Sequence, residues 1–389
     1  MFSEIGDIKS AVGRFRNDTA WLSLRSRWNT DYNLYRLLPY DAGSGYISYT
    51  TNAPRVFADK VVALLVSSNL VIRVPSDVMG ILTDDDRRKA SNIERFNYGV
   101  LSINDDRLIR IPNMPMLKTQ MAWYAAIRGA FAIRDYVYKN EKGKTIPRFD
   151  CWDIYNVAYG EGEDGLLWAA HTRKITASQA KSEFGMDITT FATDRLIDVV
   201  DYWDKEKYGV IVGDTWGIDL TPHNLDYCPV AIIRCGAQPP VWQDNYQYTA
   251  VHQGESIFAP IRGIAPILSK TLSDHLTVVR RGVKPPLAHY TIDNREILDV
   301  DIYQVNKGAN VPMRIGERIE PILPPSMPTD TESLYQIIGG EWQRGSFPHS
   351  TYGEVGIRLS GFAINQLQGS IETVLQPCLE AMSRAYKIG

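Results

Sequence analysis

The chain has 389 residues, 44% of them hydrophobic, 11% aromatic and 22% charged, with a formal net charge of −3. That composition belongs to a folded protein and excludes a disordered tail or a collagen-like repeat, and the slight negative charge excludes coating nucleic acid through bulk electrostatics, though not a local or enclosed contact. The longest apolar run, residues 121–127, is far short of the ~20 residues of a membrane helix, and Met1-Phe2-Ser3-Glu4 lacks the basic and apolar regions of a signal peptide, so a soluble, intracellular-type chain is expected.

In chain order, residues 18–38 carry Trp21, Leu24, Trp28, Tyr32 and Tyr35 at helical spacing. Tyr40-Asp41-Ala42-Gly43-Ser44-Gly45 breaks that helix. Asn52 reads as an N-cap, with Pro54 in the first turn of a helix through Ser67 whose stripe is Phe57, Val61, Leu64 and Leu65. Residues 70–74, rich in β-branched side chains before Pro75, read as a strand. Thr83, three residues before Asp86, opens a helix over 84–100. Another helix covers 116–128, with Leu117, Met121, Tyr124 and Ala125 facing inward. From Gly129 the period becomes two, and segments 131–138 and 145–152 flank a hairpin turn. Further strands are expected at 155–159, 166–172, 196–203, 208–212 and 230–234, with one short helix at 177–184 capped by Thr176. This is an α+β region of antiparallel hairpins. Residues 256–281 form a long helical candidate whose start Pro260 and Pro266 must bend or delay. Short apolar alternations follow at 286–290, 302–305 and 318–323. Thr329 with Glu332 caps a helix carrying Leu334, Ile337, Ile338 and Trp342, residues 345–356 form a loop, and a last helix runs over 357–386 with a kink at Pro377.

Motifs for chemistry are scarce. There is no Walker loop, HExxH, paired CxxC or GxSxG. The one GxGxxG match, residues 160–165, precedes a strand and holds three carboxylates that would repel a pyrophosphate, so it reads as an acidic turn. The six histidines are scattered, and the four cysteines (Cys151, Cys228, Cys235, Cys378) read as buried thiols, with Cys228 and Cys235 pairable only across neighbouring strands. Asp84-Asp85-Asp86 sits where carboxylates favour a helix N-terminus, and Asp198, Asp201 and Asp204 read as a solvent-facing acidic edge. Nine Trp and twenty-one Tyr suit either sugar stacking or protein contacts. A carbohydrate-active enzyme would need two carboxylates ~5–9.5 Å apart in a cleft, and no stretch marks such a pair. No catalytic residue, metal site or cofactor is assigned; an unrecognised enzyme and a structural assembly protein both stay open on composition alone.

From Val251 the order of signals becomes specific. His252-Gln253-Gly254-Glu255-Ser256-Ile257-Phe258-Ala259-Pro260 opens a long helix that ends at Arg280-Arg281-Gly282-Val283-Lys284-Pro285-Pro286-Leu287. Then come Val305-Asn306-Lys307-Gly308-Ala309-Asn310, Gly316-Glu317-Arg318-Ile319-Glu320-Pro321-Ile322, a capped helix, Pro348-His349-Ser350-Thr351-Tyr352-Gly353, Leu359-Ser360-Gly361-Phe362-Ala363-Ile364 and Val374-Leu375-Gln376-Pro377. Upstream, Thr51-Asn52-Ala53-Pro54-Arg55 and Asp226-Tyr227-Cys228-Pro229-Val230-Ala231-Ile232 fit the same scheme. In this colinear order the chain resembles the portal (head–tail connector) proteins of tailed bacteriophages.

The resemblance implies a portal-like α+β architecture. A wing would occupy residues 1–250, a stem helix 251–282, a small α/β clip 283–327, a second stem helix 328–345, a tunnel loop 346–356 and a long kinked wing helix 357–389, with the crown short or absent. It implies a non-enzymatic virion protein at the capsid vertex, assembled in the host cytoplasm as a ring of twelve subunits. Double-stranded DNA would be packaged and ejected through that ring, and its protein partners would be terminase, the major capsid protein and tail adaptors, with no membrane contact. A different ring-forming virion adaptor is the nearest alternative. Arg344, His349, Ser350, Thr351 and Arg358 become the DNA-channel candidates. Lys307, Arg314 and Arg318 become candidates for terminase or adaptor contact, and Arg280, Arg281 and Lys284 cluster at the stem. Gly345, Gly353 and Gly361 would supply backbone freedom at the loop. A ring that passes DNA must not grip it, because each retained phosphate contact has to be broken during translocation, and a near-neutral chain meets that requirement.

Overall fold

The period-two stretches that begin after Gly129 pair as antiparallel ladders, and helices from both ends of the chain pack onto them. The computed structural model describes residues 2–73, 84–139, 143, 145–163, 165–186, 196–237, 254–283, 285, 287–291, 315–322, 331–347 and 361–388. Among these the chain is mixed α+β and divides into two units. Unit 1 comprises Met1–Tyr35, Val56–Ala259 and Val355–Gly389; unit 2 comprises Arg36–Arg55 and Pro260–Glu354.

Unit 1 holds α1 (Ile5–Asn17), α2 (Thr19–Tyr35), α3 (Ala53–Ser67, from Val56 onward), α4 (Asp84–Ile109) and α5 (Leu117–Arg128). Next come β1 (Ala130–Lys139), β2 (Thr145–Asp153), β3 (Val157–Gly162), β4 (Gly165–Ile175), α6 (Ala177–Phe184), β5 (Ile197–Asp204), β6 (Lys207–Val212), β7 (Thr215–Pro222) and β8 (Val230–Arg234). Two sheets result, a three-stranded one in the order β2-β1-β8 and a five-stranded meander β3-β4-β5-β6-β7. Ile8 and Val12 of α1 pack on Ala158, Ala170, Val200, Tyr202 and Ile211, while Leu24 and Trp28 of α2 pack on Ala130, Ala132, Trp152, Val157 and Trp203. The alanines across from these helices let backbone and helix approach closely, and each large apolar side chain so buried contributes roughly 1.5–3 kcal/mol. At the end of α5, Gly129 takes φ 72° as a left-handed cap. A Cβ there would stand 2.3 Å from the Glu255 carbonyl carbon, so only glycine fits.

Unit 2 holds α7 (Ile264–Val283), an antiparallel pair β9 (Leu287–Tyr290) and β10 (Arg318–Pro321), and α8 (Thr331–Gly345). Residues 257–263, Pro260 among them, are turns, so the helix start is delayed as expected, and Pro266 sits in its first turn, where proline is tolerated. The final helix α9 (Gly361–Ile388) returns to unit 1, contains Pro377 and buries Leu375, Cys378 and Met382.

Several readings need correcting. Residues 70–73 pair with no strand; the Tyr98 hydroxyl instead accepts from the Ile72 amide (2.8 Å) and donates to the Leu70 carbonyl (3.2 Å). The helix expected to end at 100 runs on to Ile109 because its polar residues have tertiary partners. Asn104 Oδ1 accepts from the Phe149 amide (3.1 Å), and Asp105 Oδ1 accepts from the Leu117 amide (2.9 Å) at the start of α5. Helix α1 and strand β7 were not anticipated; β7 hides its alternation behind Gly217, where a Cβ would meet Val212 Cγ2 at 2.7 Å. The acidic series is not a solvent-facing edge. Asp198 is exposed, but Asp201 and Asp204 are buried. Asp204 Oδ1 accepts from the amides of Glu206 (2.8 Å) and Lys207 (2.7 Å) and so closes the β5–β6 turn. Four tryptophans (Trp28, Trp152, Trp203, Trp342) are core residues rather than contact surface. Thr176 forms a full capping box with Gln179, and Gly160-Glu161-Gly162 runs through β3 into the tight turn before β4, as an acidic turn should. Thr83, Thr329, residues 302–305 and 348–360 lie outside the described residues.

Candidate functional site

Unit 2 is built on one face of α7. Ser269, Ser273 and Thr277 recur every four residues and are buried at 5%, 0% and 3% exposure. Four helical residues rise ~6 Å, and two extended residues advance ~6.6 Å, so alternate residues of an extended segment can stay in step with this stripe. Residues 47–51 do so. The Ile47 amide donates to Thr277 Oγ1 (2.9 Å), the Tyr49 amide to Ser273 Oγ (2.9 Å) and the Thr51 amide to Ser269 Oγ (3.4 Å). The hydroxyls of Ser273 and Thr277 also donate to the carbonyls four residues back, both at 2.8 Å.

The intervening residues serve the other arm of the same strap. Thr50 Oγ1 accepts from the Tyr40 amide (2.8 Å) and Ser48 Oγ from the Ala42 amide (3.1 Å). A turn at Gly43 and Gly45, with φ 89° and 84°, reverses the chain between them. Ser and Thr hydroxyls thus stand in for a partner strand. On α8, the Tyr335 hydroxyl donates to the Thr271 carbonyl (3.2 Å); burial and then the charge of Asp274 raise its pKa.

The site residues inferred from sequence fall around this frame. Arg280 and Arg281 share the exposed last turn of α7, where they complement the helix dipole. The Arg281 guanidinium lies 5.4 Å from the Tyr46 ring centroid, tying the helix end to the strap. Arg344 is exposed on α8 and pairs with Glu341 at 2.6 Å. Arg318 pairs with Glu320 along β10. Each of these cations is thus held by its own element or the strap. Lys284, Lys307, Arg314, His349, Ser350, Thr351 and Arg358 lie outside the described residues. Gly345 closes α8 for a reason other than backbone freedom: a Cβ there would stand 2.6 Å from Ile261 Cγ2 and 3.2 Å from Pro260 Cβ. Gly361 begins α9, and Gly353 is outside the described residues. The hydroxyl stripe escaped the sequence reading, although its spacing of four residues was there to find.

Unit 1 carries a second polar feature that sequence did not announce. Arg134 of β1 faces Asp150 directly across the ladder and pairs with it, and its guanidinium sits 5.1 Å from the ring centroids of both Trp152 and Trp203. Arg107 (2.7 Å) and Arg148 (2.9 Å) also bind Asp150. Burial alone would raise the pKa of Asp150, but the three guanidinium charges prevail and hold it well below the usual carboxylate range. Asp201 follows the same logic: burial opposes its charge, while His171, Arg134 and Arg173 outweigh burial and lower its pKa. The His171 ring stacks on Trp152 at 4.6 Å and 8°. Every cation in this cluster has a carboxylate or an aromatic face. It reads as a structural clamp between the two sheets of unit 1.

No protein family matches the sequence, and no curated protein matches it. Among solved structures, 94 chains match. One belongs to the neck of an empty GTA particle computed with C6 symmetry. It is 11% identical with a TM-score of 0.44, over 86% of this chain and 76% of that one. A likeness at that identity and TM-score decides neither fold family nor role. No described helix is long and apolar enough to cross a membrane.

Proposed function

We propose that this chain is a subunit of a ring that conducts double-stranded DNA, a head–tail connector of portal type. The observation that supports the reading is an order of elements: long helix α7, antiparallel pair β9–β10, helix α8, then long helix α9. The motifs around Val251–Pro377 resemble portal proteins in that same order. In this reading α7 and α8 are stem helices, the β9–β10 pair belongs to the clip, and residues 346–356 form the tunnel loop. Arg344, His349, Ser350, Thr351 and Arg358, on that loop and its flanks, face DNA, while Lys307, Arg314 and Arg318 meet terminase or adaptors. Arg280, Arg281 and Lys284 stand at the stem end. The chain performs no catalysis; packaging energy comes from a separate motor protein, and the virion vertex is its place of work.

Rings are closed heterologous assemblies in which one face of each subunit meets a different face of the next. Twelve copies of a 43.9 kDa chain amount to roughly half a megadalton. Mass photometry with negative-stain electron microscopy tests the proposal. The expected result is a particle of that mass with a central hole. A chain that stays monomeric at high concentration overturns it.

A further inference from the structure

All four cysteines are buried and carry free thiols. Two of them meet. Cys235 follows β8, Cys378 lies on α9, and the two are 0% and 2% exposed with their thiols in hydrogen-bonding contact. Both are firmly seated. The Cys235 amide donates to the Gly129 carbonyl (2.9 Å), and its own carbonyl accepts from the Glu255 amide (3.1 Å). Cys378 is fixed by its helix. The neighbouring residues touch as well, since a Cβ on Gly236 would stand 3.7 Å from Pro377 Cβ. The other two thiols lack a sulfur partner: Cys228 Sγ faces the Trp203 carbonyl (3.8 Å), and Cys151 lies on β2.

A cavity of about 400 Å³ adjoins the pair, bordered by Gly236, Pro377, Glu372, Thr373, Gln376 and Glu380. Two of its walls, Gly236 and Pro377, are the chain neighbours of the two cysteines. The cavity therefore offers the approach to the pair that a small reagent would use.

We propose that Cys235 and Cys378 form an intrachain disulfide by exchange with a small cationic or neutral disulfide, RSSR. One cysteine loses its proton to solvent and attacks a sulfur of RSSR; the S–S bond of the reagent breaks, and its second half leaves and takes up a proton as RSH. The second cysteine, as thiolate, then attacks the protein sulfur of the mixed disulfide, forms the Cys235–Cys378 bond and expels the remaining half as RSH. In sum the protein loses two hydrogens and RSSR is reduced to two RSH. Contact with Cys378 and burial both raise the pKa of the Cys235 thiol, so exchange accelerates as the pH rises. The carboxylates of Glu372 and Glu380 at the cavity repel an anionic disulfide. The bond closes a covalent loop that contains the whole of residues 260–354. It does so whether or not the chain assembles into a ring.

The full-length protein is incubated with cystamine or glutathione disulfide at mildly alkaline pH, alkylated, and analysed by intact mass and peptide mapping. The expected result is loss of two of the four thiols, a cross-linked peptide pair joining Cys235 and Cys378, a raised Tm, and faster reaction with cystamine than with glutathione disulfide. Cys235→Ser and Cys378→Ser should each abolish the cross-link. The double variant C151S/C228S should keep it, which tests the assignment even where a buried Cys235 or Cys378 substitution fails to fold. Four thiols surviving on the folded protein, a link through Cys151 or Cys228, or stable mixed disulfides on both cysteines would each overturn the proposal.

Discussion

At Asp150 three guanidinium groups converge on a single carboxylate. Removing the charge leaves buried cations without a counter-ion, so Asp150→Asn should cost about 3–5 kcal/mol at neutral pH. The sign of its pH dependence follows from the depressed folded pKa. The stabilisation is fully present above the unfolded carboxylate pKa of ~3.9 and drains away as the pH falls through the folded value. Urea midpoints measured from neutral to acid pH should therefore decline less steeply for Asp150→Asn than for the parent. Asp135 has the opposite sign. Burial raises its folded pKa, with only a backbone hydrogen bond in opposition. Its ionised form is disfavoured in the fold, and it costs stability once the pH passes the unfolded value. Asp135→Asn should accordingly raise the Tm at neutral pH and change nothing in strong acid. A lowered neutral Tm would show that the carboxylate has a favourable role.

At the scale of elements, the hydroxyl stripe of α7 invites a direct test. Ser273→Ala leaves the Tyr49 amide without its acceptor, and an orphaned donor of this kind costs about 1–3 kcal/mol. Hydrogen exchange should quicken at Tyr49, with smaller effects at Ile47 and Thr51. Gly345→Ala should destabilise by about 1–3 kcal/mol through overpacking, because the new methyl meets Ile261 Cγ2. Ile261→Leu, which lacks that branch, should restore part of the loss in a thermal melt. Elements with strong periodicity or explicit caps were legible from the residues alone; α6 with its capping box and the β1–β2 hairpin are the clearest cases. What stayed hidden depends on tertiary partners. Nothing local announces that Asn104 will accept from Phe149 and let α4 continue, or that Asp201 will turn inward to meet Arg173 and His171. The strap is the same case, since its amides find acceptors more than two hundred positions away.

For the whole molecule, two interleavings matter. Unit 1 is assembled from three stretches of chain and unit 2 from two, so neither is a contiguous piece that could be excised by a single cut. The charge of −3 on 389 residues leaves no excess of cations to hold polyanions over a broad area. The pairing of Tyr49 with Ser273 spans 224 positions and that of Ile47 with Thr277 spans 230. On a ribosome adding about 5–20 residues per second, residues 47–51 are made about ten seconds or more before their acceptors. Through that interval the strap must wait as a polar, Ser- and Thr-rich ribbon that water can solvate. A more apolar ribbon would stick to unfinished neighbours during the wait, so the strap's own Ser48 and Thr50, which accept from Ala42 and Tyr40, keep it soluble until α7 is made.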